Sequence, residues 1–139
     1  MTKTPVSLSY HTALIDLMVM VSAADGAMPD PEFRAIGQIV QGLPAFATFD
    51  AEKLVSTAKA CARLLQKESA DTVLDRVVAA LPITLYETAY TLACEVAVAD
   101  RKLAPEELRF LDIVRRKLHL SRLVAVALER GAAARYQIA

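Results

Sequence analysis

A segment that occurs twice, 75 residues apart, constrains this chain more than any other feature. Val21–Arg34 returns as Val96–Arg109. Each copy is an alanine-rich apolar run, an Asp, a short proline-containing loop, and a Glu that opens a second apolar run. A recurrence of this length means that one helix–loop–helix unit is used twice. It also sets Asp25 and Glu32 in positions equivalent to Asp100 and Glu107.

Apolar spacing and stop signals predict seven helices. The first runs from about Ser7 to Ala24, with Leu14, Leu17, Met18 and Val21 at i, i+3, i+4, i+7. Ile15 and Val19 widen that face, so this helix is expected to be central and largely buried. The second starts near Asp30 or Pro31 and ends near Gly42-Leu43-Pro44. A third, from Thr48 or Asp50 to Lys67, is read with Leu54, Val55, Ala58, Cys61, Ala62 and Leu65 inward. Ser69 is the expected N-cap of the fourth, and Pro82 opens the fifth. The sixth begins at Pro105 with Leu108, Leu111 and Val114 as its stripe, and Ser121 caps the seventh.

Strand alternation is absent, aromatic residues are few and Trp is missing. That mixture suits close-packed helices better than a sheet. The expectation is therefore an all-α fold, a single domain over residues 1–139. Its two helix–loop–helix repeats are related by a pseudo-twofold, with helices three and four bridging them.

Composition excludes several classes. Cys61 and Cys94 sit inside apolar helical patterns, where a free thiol acts as a small hydrophobe; two such residues make neither a disulfide framework nor a zinc site. This usage points to a reducing, cytoplasmic setting. No run reaches the ~20 apolar residues of a membrane span, and Asp16 interrupts the one run that imitates a signal peptide. The formal charge is zero but unevenly spread. Residues 1–100 carry 7 Lys/Arg and 12 Asp/Glu, whereas residues 101–139 carry 9 and 4. The basic third suits a solvated surface, self-association or an acidic partner. The run Arg115-Arg116-Lys117 with Arg122 is too small, and too poor in aromatics, for a typical nucleic-acid surface.

The duplicated acids have two readings. Carboxylates meeting at helix–helix turns offer hard oxygen ligands to Ca²⁺ or Mg²⁺, so Asp25, Glu32, Asp100 and Glu107 are the candidate metal ligands. The spacing is not that of an EF-hand. Alternatively, a Glu at the third helical position reaches back to the N-cap N–H and favours the positive end of the helix dipole. If Pro29 is the N-cap of the second helix, it has no N–H for Glu32 to satisfy. The two loops also differ, because Gly26 follows Asp25 where Arg101 follows Asp100. Glu95, among apolar residues of the fifth helix, is expected to be partly buried and paired, with an Arg or with the acidic loop network. No nucleophile–base pair and no phosphate-cradling glycine loop is visible; His11 and His119 stand near opposite ends.

Asp25-Gly26-Ala27-Met28…Glu32 and Asp100-Arg101-Lys102-Leu103…Glu107, each preceded by an alanine-rich helix, resemble the tellurite-resistance TerB-like family. The resemblance covers roughly Leu14 to Gly131. It implies a compact helical domain with paired acidic loops proposed to hold a divalent cation, and no established catalytic chemistry. It further implies kinship with domains found beside membrane-associated co-chaperones and stress systems. Arg101 departs from the family's usual Gly. The function expected is a non-enzymatic interaction or sensing module of a stress response with an unidentified protein partner. The rivals are a structural homo-oligomer without a metal and a metal-dependent hydrolase.

Overall fold

The computed structural model describes residues 8–24, 30–99 and 103–139. Seven α-helices make up most of it: α1 (Tyr10–Ala23), α2 (Asp30–Gly42), α3 (Leu54–Lys67), α4 (Ala70–Ala80), α5 (Tyr86–Val98), α6 (Pro105–Lys117) and α7 (Arg122–Arg135). Short 3₁₀ turns at Pro44–Phe46, Ala51–Lys53 and Ile83–Leu85 lead into or out of them. No strand occurs among the described residues.

Local chemistry sets the helix starts. Ser9, Ser69 and Ser121 each turn a hydroxyl oxygen to the backbone N–H three residues on, at 3.1, 3.2 and 3.2 Å. Such caps satisfy one of the orphan donors of a first turn. Ser9 therefore takes the capping place at the start of α1, two residues beyond the expected Ser7. Pro105 occupies the first position of α6, where its missing N–H leaves no bond unmade.

The bundle is organised around α1. Every residue from Ala13 to Ser22 is buried, because α2, α3, α4, α5 and α6 all pack against this one helix. The second hub is α5, which lies on α1, α2, α6 and α7 and buries Leu92 to Ala97 without interruption. Full burial of a large apolar side chain contributes roughly 1.5–3 kcal/mol, so these two helices dominate the favourable side of folding. Cys61 and Cys94 are free thiols within that core.

The bounds of α2 and α6 stand 75 residues apart at both ends, the interval of the sequence repeat. Their buried stripes also correspond. Glu32, Ile36 and Ile39 are buried in α2 where Glu107, Leu111 and Val114 are buried in α6.

Three expected core positions face solvent instead. Val55 and Ala62 are exposed because α3 buries only a narrow stripe, Leu54, Ala58 and Cys61, and they lie about 80–100° round the helix from its centre. Leu108 is 52% exposed, because the core-facing place in the first turn of α6 belongs to Glu107.

α6 ends in a residue with a left-handed backbone. His119 has φ 56°, its N–H bonds to the Arg116 carbonyl at 3.1 Å, and the Leu120 N–H reaches the Arg115 carbonyl at 3.1 Å. This is the Schellman arrangement, with a histidine where glycine is usual. A β-carbon in that conformation costs about 1–2 kcal/mol, partly offset by the stiffer unfolded chain. His119→Gly is expected to stabilise the protein by about 0.5–1 kcal/mol in urea denaturation, with the helical circular dichroism unchanged.

Candidate functional site

Glu32 and Glu107 are the third residues of α2 and α6, and each heads the core-facing stripe of its helix. That register carries both carboxylates inward: Glu32 is 0% exposed and Glu107 1%. A carboxylate removed from water needs hydrogen bonds or opposite charge. The helix N-terminus supplies part of this, since its free N–H groups and dipole favour an anion. For Glu107 the contact is visible: Oε1 accepts from the Ala104 N–H at 3.4 Å. This is the reach-back half of a capping box. The other half is missing, because the Ala104 side chain has no acceptor to offer.

Of the four acids expected to form a cation site, Glu32 and Glu107 are thus placed as buried first-turn carboxylates. Asp25 and Asp100 lie outside the described residues, as do Gly26 and Arg101. Among the described residues, no group of three or more His, Cys, Asp or Glu side chains is gathered to hold a metal ion.

The remaining charges mostly tie helices together. Glu95, 6% exposed, accepts from Arg135 Nε at 3.1 Å, joining α5 to the end of α7. The expected pairing of this acid with an arginine is what the structure contains. Tyr90 donates its hydroxyl proton to Glu129 at 2.5 Å across the same two helices. Burial and the bond to Glu129 push the Tyr90 hydroxyl pKa well above its ordinary value. Burial, then the charge of Glu129, raises the neighbouring Cys94 thiol to about 12.

The basic run at the end of α6 is likewise occupied. Arg115 and Arg116 share Asp112 at 3.3 and 3.0 Å, and Arg115 also reaches the Leu120 carbonyl at 3.2 Å. Lys117 bridges to Asp71 and Asp75 of α4 at 2.9 and 2.5 Å. These residues act as intramolecular fasteners.

One buried acid escaped sequence reading as a site residue. Asp16, on α1, is 5% exposed and pairs with no cation among the described residues. It lies over Cys61 of α3, whose thiol approaches the Asp16 carbonyl oxygen at 3.7 Å. Desolvation raises its pKa from 3.8 to about 6, partly opposed by the hydrogen bond from Cys61. The signal was present as an acid inside an otherwise apolar run.

A family model described as Tellurite resistance protein TerB matches residues 11–128. No curated protein and no solved structure gives a significant match to the chain.

The raised pKa of Asp16 makes stability depend on pH with a definite sign. Between about pH 4 and pH 6 the folded state retains a proton that the unfolded chain releases. Stability conferred by that proton is present below this window and lost as pH rises through it. Asp16→Asn should therefore be more stable than the parent at about pH 7.5, on the order of 2 kcal/mol, with the difference vanishing near pH 4. Urea denaturation of both proteins at the two pH values checks this.

Proposed function

The chain belongs to the tellurite resistance protein TerB family, and from that premise we propose that it is a non-enzymatic, cytoplasmic interaction module of a stress response, holding a divalent cation weakly at its paired acidic loops. The observation that carries the reading is the equivalent burial of Glu32 and Glu107, which follow Asp25 and Asp100 by 7 residues in the sequence. Glu107 accepts a hydrogen bond from its N-cap amide at a long 3.4 Å.

The donor set fits a hard cation. Carboxylate oxygens suit Ca²⁺ or Mg²⁺, and neither thiol nor imidazole stands in the repeated motif. In this reading Glu32, Glu107, Asp25 and Asp100 would together supply the carboxylate oxygens that hold the ion. The ion would supply positive charge to offset that of the carboxylates. Ion binding to the folded form then stabilises it by mass action and couples the loops to the surface a partner meets. Two buried free thiols and the absence of any single described helix able to cross a membrane are in keeping with the proposed location.

The contact between Glu107 and the Ala104 N–H favours one competing reading, in which the repeated Glu residues serve only as helix caps. Isothermal titration with Ca²⁺, Mg²⁺, Mn²⁺ and Zn²⁺ separates the two. The cation reading expects Ca²⁺ or Mg²⁺ to bind with a Kd of about 10⁻⁴–10⁻³ M, and binding to disappear in Asp25→Ala and Glu32→Gln. Absence of binding to the parent protein, with Glu107→Gln losing only about 1 kcal/mol of stability, leaves capping in its place.

A further inference from the structure

Helices α5, α6 and α7 enclose a groove of about 460 Å³. Its floor is a row on α5, Tyr90, Cys94 and Val98, spaced four residues apart. One wall carries Leu103 and Leu108, which are 42% and 52% exposed; Val126 on the opposite wall is 48% exposed. Large apolar side chains left in water around one concavity mark a contact surface rather than scattered surface hydrophobes.

The charges around the groove are unequal. Its two acids are already engaged: Glu129 accepts the Tyr90 hydroxyl, and Asp112 is shared by Arg115 and Arg116. Arg122 and Arg130 have no carboxylate partner among the described residues, and both are exposed. They lie at i and i+8 of α7 with Val126 midway, so the α7 wall reads basic, apolar, basic over about 12 Å. That length is about two helical turns.

We propose that this groove docks an acidic amphipathic helix of a partner protein, its apolar side chains seated against Leu108 and Val126 and its carboxylates on Arg122 and Arg130. Helix-in-groove recognition uses apolar anchors spaced about one helical turn apart, comparable to the four-residue step of the rows on α5 and α7. Charge decides the occupant. A second copy presenting the same face brings two more unpartnered arginines and a segment with five excess positive charges, whereas an acidic helix neutralises both guanidinium groups. The proposal rests on the interaction-module reading but not on the cation, so it is tested with a chelator present.

The probe is a fluorescein-labelled synthetic 14-residue helix of alanine, bearing Leu at i, i+4 and i+7 and flanking Glu residues. Its counterpart replaces every Glu with Lys. Fluorescence anisotropy is expected to show the Glu peptide binding at least about tenfold more tightly than the Lys peptide, and weakening with added salt. The double variant Arg122→Glu with Arg130→Glu should lose at least about tenfold, as should Val126→Asp. Leu123→Ser, at an 82% exposed position of α7 outside the groove, should bind like the parent. Unchanged helical circular dichroism shows that each variant folds. Equal binding of the two peptides, no binding of the Glu peptide, or indifference to the arginine reversals overturns the proposal. Binding of dodecanoate where the Glu peptide fails overturns it in favour of an anionic acyl ligand. The calorimetric test of the cation is untouched by any of these results.

Discussion

The rest of the structure depends on covering α1 on every side. Ten consecutive residues of that helix are buried, so it has no solvent face on which to spend polar residues. Five other helices must reach it, and the chain does so by folding back around its own first helix rather than stacking layers. This explains why the sequence of α1 is apolar all round instead of showing a single stripe. It also explains why the two polar exceptions matter. Ser22 is small and helical, whereas Asp16 carries a charge into the interior and answers with a raised pKa and a thiol neighbour.

A second constraint sits at the starts of α2 and α6. In both helices the first core-facing side chain is a glutamate, followed one and two turns later by aliphatic residues. The interior is therefore lined with hydrocarbon up to a boundary, and at that boundary each of two corresponding helices presents a carboxylate. The helix dipole makes this tolerable.

Elements governed by local chemistry were readable from the sequence. Ser69, Pro105 and Ser121 announced helix starts that the structure reproduces, because capping and proline placement depend on a few adjacent residues. The buried character of α1 and the pairing of Glu95 were equally legible, since an unbroken apolar neighbourhood leaves little choice. Val55 and Leu108 were misassigned for a shared reason. A stripe drawn from apolar residues alone cannot reveal that α3 packs on one side only, or that a glutamate takes the inward place in α6. The groove was illegible for a different reason. Tyr90, Leu108 and Val126 come from three helices, and no spacing within one of them indicates that they meet. For the acidic pairs, the sequence located both glutamates, but their depth of burial emerges only from the packing of α2 and α6 onto the hubs.

The central position of α1 has a consequence for how the chain comes into being. α1 is made first, yet α5, which completes much of its enclosure, is finished 75 residues later. At ribosomal speeds of about 5–20 residues per second, that interval lasts roughly 4–15 s. α2, α3 and α4 emerge within it and can begin to cover α1, but the face that α5 occupies stays open until its end. The architecture that gives the finished protein its core thus leaves its most apolar helix incompletely covered for seconds while the chain is made.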